Sequence, residues 1–249
     1  MLVKRYIAGP GQWVDIDENG NVKKELVKSY EIFEDVKASE YKLTLKLEKS
    51  FWSDGAQIAA NDVVFAWKRL LEVDANYEAA SLLFDIKNAR AAKEGDCSID
   101  DVRIYPAEQQ MLEIYFEGKI DYDQFMLNLT SLALAPLRDD IVSKSDDWAK
   151  KPGTMVCSGP FKLGRINWVV DHTNKYYDGT FQKINEDGYL EIGGEFSNQK
   201  VTDFILERNV YYYRDKDADK LLKSVTPYRI CVDCSLTEDQ LVAMYEAGM

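Results

Sequence analysis

The chain has 249 residues, 46% of them hydrophobic and 30% charged, with 31 Lys and Arg against 43 Asp and Glu for a net charge of −12. So acidic a chain is repelled by phosphate backbones and anionic bilayers, and its densest basic cluster, Lys150–Lys151, sits close to Asp146 and Asp147, which argues against nucleic-acid binding. The longest apolar run, around Leu132 to Leu137, is too short to span a bilayer, and repeats and low-complexity tracts are missing. Met1 leads directly into LVKRYIAGPGQW rather than a secretory leader, which leaves two readings open: a cytoplasmic chain, or one written without its targeting signal.

In chain order, Asp15–Asn21 reads as a turn between short extended pieces, with Asn19-Gly20 as its hairpin signal. Tyr41, Leu43, Leu45 and Leu47 then alternate with Lys42, Thr44, Lys46 and Glu48, the pattern of a half-buried strand. Over Asn61–Glu72 the period changes. Val63, Val64, Trp67, Leu70 and Leu71 form one stripe of an amphipathic helix, which Asn61 or Asp62 caps and which Trp67 anchors on the preceding sheet. Val102 and Ile104, a turn at Pro106–Gln110, then Leu112, Ile114 and Phe116 predict an antiparallel hairpin. Asp121 caps a helix through Tyr122, Phe125, Met126 and Leu129, and another follows Pro136 as far as Pro152-Gly153, the predicted boundary between domains at 1–150 and 151–249.

Beyond it, strands are expected at Phe161–Leu163 and Phe204–Arg208. The polar stretch Arg165–Lys200 between them has weak periodicity and an extra hairpin around Tyr189–Ile192. Thr237 and Gln240 form a capping box for a last helix carrying Leu241, Met244 and Tyr245, with Gly248 as C-cap and no closing strand after it. Antiparallel strands mixed with helices make the fold class α/β in the broad, mixed α+β sense.

Catalytic signatures are missing. His172 is the only histidine, in the polar segment Asp171-His-Thr-Asn, and no GxSxG, GxGxxG, Walker or HExxH pattern occurs. Asp139-Asp140 and Asp146-Asp147 are sequence neighbours that point apart on a helix, as solvated carboxylates do. Cys231-x-x-Cys234 fits a redox pair or half a zinc site, while Cys97 and Cys157 add no second pair; ordinary strand cysteines or one structural disulfide are the plainer reading. No cofactor or metal is expected, and no enzyme activity. Tyr and Trp suit ligand stacking in clefts, but Tyr211, Tyr212 and Tyr213 cannot all face one pocket.

Phe51-Trp-Ser-Asp-Gly-Ala-Gln-Ile-Ala-Ala-Asn-Asp-Val-Val-Phe-Ala-Trp-Lys-Arg-Leu closely resembles the hallmark of family 5 bacterial extracellular solute-binding proteins, the oligopeptide- and dipeptide-binding components of ABC importers. Leu26-Val-Lys-Ser-Tyr-Glu, Ser158-Gly-Pro-Phe-Lys-Leu, Glu207-Arg-Asn-Val-Tyr-Tyr-Tyr and Leu241-Val-Ala-Met-Tyr-Glu-Ala-Gly resemble further landmarks of that family, in its order. Three departures stand out. Ala59 replaces the helix-capping Thr, Arg165–Lys200 is longer than the usual link, and Tyr77 falls near the place of a ligand-facing Tyr that unshifted alignment gives to Ala79.

The resemblance implies a type II periplasmic-binding-protein-like fold, of which this chain is most of lobe I with the α+β subdomain typical of peptide binders. It implies capture of a small solute, a peptide first of all, by closure of two lobes, and delivery to an ABC permease from the cell surface or extracellular space by a lipid-anchored monomer. Tyr77, Ser158 and Gly159 are the expected ligand contacts. A peptide-sensing receptor on the same fold and a thiol-redox protein using Cys231 and Cys234 are the other readings.

Overall fold

Alternation of apolar and polar residues sends successive side chains to opposite faces of a strand, and Tyr41–Leu47 follows it. The computed structural model describes residues 14–16, 22–24, 26–75, 77–144, 148–149, 151–170, 181–184, 190–192, 199–213, 228–234 and 236–247. In it that segment is β4 (Glu40–Leu47), the short pieces before it being β1 (Val14–Ile16), β2 (Val22–Lys24) and β3 (Val27–Asp35). β1 and β2 pair antiparallel with Ile16 opposite Val22, the hairpin expected there, whose turn residues lie outside the described residues.

β4 is central. With β5 (Ile104–Glu108) and β6 (Met111–Tyr115) it makes an antiparallel sheet in the order β3–β4–β6–β5. Leu43, Leu45, Leu112, Ile114 and Ile104 are buried on one face. The other face carries cross-strand pairs: Lys42 Nζ donates to Glu113 Oε1 at 3.0 Å, and the Arg103 guanidinium lies 5.8 Å from the Tyr115 ring centre. Such pairs each contribute about 0.2–1 kcal/mol. Pro106 and Glu108 belong to β5 rather than to the turn, which falls on Gln109-Gln110. β5 is an edge strand, so the missing N–H of Pro106 is tolerated, and the register shifts between Pro106 and Glu108.

The helix α1 (Ala60–Leu71) buries Ala60, Val63, Ala66, Trp67, Leu70 and Leu71 in the same core. Trp67 is fully buried, donates its indole N–H to Leu134 O at 2.8 Å and meets Phe125 edge-on. Removing its ring from water is worth about 5 kcal/mol as an upper figure. A 3-10 turn over Glu78–Leu83 and α2 (Ala89–Glu94) follow, the helix ending at Gly95 with φ +84, where a left-handed residue closes it. The helix α3 (Tyr122–Asn128) starts as expected, Asp121 Oδ1 accepting from Gln124 N at 3.0 Å. The helix expected to reach Pro152 is only α4 (Asp139–Val142). At its C-cap Ser143 N still bonds Asp139 O at 3.0 Å, and the next bond tightens to the three-residue spacing of a fraying end, Lys144 N to Ile141 O at 3.3 Å.

The strands β7 (Phe161–Val170) and β10 (Gln199–Arg208) are each longer than predicted, so the weakly periodic stretch is partly strand. With β11 (Arg229–Asp233) they form a sheet in the order β11–β10–β7. The extra hairpin exists as β8 (Phe181–Ile184) and β9 (Leu190–Ile192), Ile184 facing Leu190. Last comes α5 (Glu238–Glu246), whose capping box is as predicted: Thr237 Oγ1 accepts from Gln240 N at 3.4 Å and Thr237 N donates to Gln240 Oε1 at 2.9 Å. Its Leu241 and Tyr245 are exposed, and Gly248 lies outside the described residues. The chain divides into two compact units, Met1–Lys162 with Asn209–Thr226, and Leu163–Arg208 with Pro227–Met249.

Candidate functional site

Within the first unit, three motifs far apart in sequence meet. The first is the turn Trp52-Ser-Asp-Gly: Gly55 N donates to Trp52 O at 2.9 Å, and Gly55 takes φ +92, which glycine adopts without a side-chain clash. Trp52, 1% exposed, donates its indole N–H to Asp62 Oδ2 at 3.0 Å, and the same oxygen accepts from Ala59 N at 3.0 Å. Ala59 holds the N-cap position without a capping hydroxyl. Asp62 therefore restores only the returning half of a capping box, from the third helical position. Its burial pushes its pKa up against the pull of these two donors. Arg138 clamps the turn from the N-cap of α4, its Nη1 lying 3.1 Å from Asp54 Oδ2 and its Nε 2.5 Å from Asp140 Oδ1. The same guanidinium holds the Asp140 carboxyl below its usual range.

The second motif is Cys157-Ser-Gly-Pro-Phe161. Ser53 binds it with both backbone and side chain: Ser53 N donates to Cys157 O at 2.7 Å, and Cys157 N donates to Ser53 Oγ at 3.2 Å. The buried Cys157 thiol donates to Phe161 O at 3.2 Å. The third motif is Asn209-Val-Tyr-Tyr. Asn209 is wholly buried, donates its backbone N–H to Pro160 O at 2.8 Å and its amide Nδ2 to Gly159 O at 2.9 Å, and accepts from Tyr211 N on Oδ1 at 3.1 Å. The Tyr211 ring lies so close to Gly55 that a Cβ there would stand 2.9 Å from its Cε1.

Ser158 (7% exposed) and Gly159 thus sit in the middle of this junction. Tyr77, 44% exposed, belongs to another loop, where it precedes the 3-10 turn and accepts from Ala80 N. That loop is tied down by Lys93 of α2, whose Nζ donates to Glu72 O at 2.7 Å, to Leu70 O at 3.4 Å and to Ala75 O. Sequence reasoning named Ser158 and Gly159 but missed Ser53, Asn209 and Lys93. The first two stand inside the quoted motifs, and only their contacts across the fold single them out.

The four cysteines are thiols rather than disulfides, Cys231 and Cys234 being exposed. Among the described residues, no group of His, Cys, Asp and Glu is placed to hold a metal ion, and His172 is outside them. No described helix is long and apolar enough to cross a membrane. What the junction does chemically is hold backbone amides and carbonyls still, by hydrogen bonds from buried side chains that exclude water.

The described residues thus form a mixed α/β architecture divided into two compact units, with a hydrogen-bonded backbone junction inside the first. Residues 21–186 match the pattern of the bacterial extracellular solute-binding proteins, family 5 Middle, and the chain belongs to that family. It is similar to the dipeptide-binding protein DppE of Bacillus subtilis (strain 168), 27% identical over 152 residues that cover 59% of this chain and 27% of that protein. It is also similar to the oligopeptide-binding protein OppA of the same organism, 28% identical over 179 residues, 69% of this chain and 31% of the relative. The crystal structure of the substrate-binding domain of an oligopeptide ABC transporter from Bacillus anthracis str. Ames has the same fold, with a TM-score of 0.67, 24% identity, and cover of 97% of this chain and 38% of that one. The chain thus spans about a third of the length of the curated relatives it matches.

Proposed function

We propose that the chain is part of an extracellular solute-binding protein that captures a dipeptide or oligopeptide and delivers it to the permease of an ABC importer. One observation carries this: the family match over residues 21–186, shared with relatives named for dipeptide and oligopeptide binding. On this reading residues 1–150 are the first subdomain of lobe I and 151–249 part of its sheet domain. A second lobe, within the share of the relatives' length that this chain does not span, closes over the ligand about a hinge. Binding requires no covalent chemistry and no cofactor; the protein acts as a monomer held at the cell surface by a lipid anchor.

Tyr77, Ser158 and Gly159 contribute the contacts from this chain. The Ser158 hydroxyl and the Gly159 backbone offer hydrogen bonds to the peptide main chain, and Tyr77 offers a ring and a hydroxyl. The test is isothermal titration of the two-lobed protein with a panel of tri- and pentapeptides. Tyr77→Ala or Ser158→Ala is expected to weaken the best peptide about tenfold, roughly 1.4 kcal/mol. Unchanged affinity removes that residue from the site, and a wild type that binds no peptide in the panel overturns the reading. The present chain alone, lacking half the contacts, is expected to bind weakly, so sub-micromolar binding by it contradicts the two-lobe mechanism.

A further inference from the structure

Asn209 is a buried polar side chain with both ends of its amide used. Burying an amide is costly unless each end is paired, and here the pairing is directional. The Nδ2 end holds Gly159 O at 2.9 Å, while the Oδ1 end holds Tyr211 N at 3.1 Å. The backbone of the same residue grips Pro160 O at 2.8 Å and accepts from Tyr212 N at 3.2 Å. Asn209 is therefore a bracket with one arm on the Ser158–Pro160 segment and the other on the turn that lays Tyr211 against Gly55. From the far side, Ser53 fixes Cys157 by two bonds. The segment between Cys157 and Phe161 is thus held at both ends, and Asn209 grips its middle with a buried side-chain amide.

From this geometry we infer that Asn209 is a positioning residue for solute binding: it touches no ligand itself, and it sets the direction of the Gly159 carbonyl and the neighbouring Ser158. This rests on the proposed function, in which Ser158 and Gly159 meet the peptide. A rigid, pre-aimed backbone loses little freedom on binding, so the clamp acts on affinity through preorganisation rather than through contact.

Asn209→Asp separates the two arms. The carboxylate still accepts from Tyr211 N, but it sets a negative charge against the Gly159 carbonyl where a donor stood. Two readouts are taken on the two-lobed protein: hydrogen exchange of the amides of residues 157–159 and 161, and titration with a panel of tri- and pentapeptides. Expected are exchange about tenfold faster in that segment, with the β4 amides unchanged, and affinity about tenfold weaker. Lowering the pH from about 7 to about 5 protonates the buried carboxyl, restores a donor and returns the variant's affinity toward that of the wild type.

Ser158→Ala serves as the control that leaves the clamp intact. If it weakens binding while Asn209→Asp loosens the segment without changing affinity, the inference falls and the function stands. Unchanged exchange in Asn209→Asp also overturns the inference. A wild type that binds no peptide overturns the function and the inference with it. Should Asn209→Asp not fold, Asn209→Ser, whose hydroxyl keeps a donor and an acceptor but no longer reaches both partners, is read in the same two ways.

Discussion

Asp62 is an acid that the fold keeps for its shape more than for its charge. A single oxygen, Oδ2, accepts both the Trp52 indole N–H and the Ala59 backbone N–H, each at 3.0 Å. Asp62→Ala leaves both donors unpaired, one on a tryptophan that is 1% exposed. At about 1–1.5 kcal/mol for each lost bond, and a few tenths for an anion in the first helical turn, the expected loss is about 3 kcal/mol. Asp62→Asn places its carbonyl oxygen where Oδ2 stood, keeps both bonds and costs less than about 1 kcal/mol. The pH dependence is distinctive. Burial raises the Asp62 pKa above its ordinary 3.8, so the folded state holds this proton more tightly than the unfolded chain. Its contribution to stability is then greatest below 3.8 and declines as pH rises through the raised value, opposite to a salt-bridged carboxylate. Urea unfolding followed by tryptophan fluorescence, repeated across that pH window, measures all three. The reasoning is refuted if Asn costs as much as Ala, or if Ala costs less than about 1 kcal/mol.

Gly55→Ala should cost about 2–4 kcal/mol, because φ +92 is joined to a 2.9 Å approach of the Tyr211 ring; combining it with Tyr211→Ala should relieve the steric part, a non-additivity that a double-mutant cycle detects. Lys93→Met removes a donor from three carbonyls at the end of α1 and should cost about 1–2 kcal/mol, with faster hydrogen exchange confined to residues 72–77. In Arg138→Met the Asp140 carboxyl, now held low by the guanidinium, should titrate upward toward 3.8 by carbon-13 NMR; in the wild type its stabilisation exists above 3.8 and is lost as pH falls through the depressed value.

Legibility in the sequence followed the range of the interaction. β4, α1, the Asp121 cap and the Thr237–Gln240 box were all readable, because period and capping are decided within a few residues. The turn expected at Pro106–Gln110 occupies only its last two residues, since edge position, which a pattern does not reveal, lets Pro106 stay in a strand. The helix after Pro136 is shorter than expected because its apolar residues carry no sign of where the backbone tightens, at Lys144 N on Ile141 O. Family landmarks named Ser158 and Gly159. They said nothing of the amide of Asn209, whose partner lies 50 residues earlier, nor of Ser53 and its partner 104 residues on.

That long separation bears on the order of assembly. The β3–β4 and β5–β6 pairings join strands that follow one another directly, whereas the Ser53–Cys157 pair closes a chain of 104 residues. Loop entropy grows only logarithmically with length, yet it must be met before the bond returns anything. The sheet and α1 are therefore expected to be native while the Trp52–Gly55 turn still waits for a segment made much later. During synthesis that turn is an unfinished seam, open until Asn209 and Tyr211 arrive. Pulse-labelled exchange during refolding should show the Ser53 amide protected after those of β4; equal protection times would mean that the seam closes with the core.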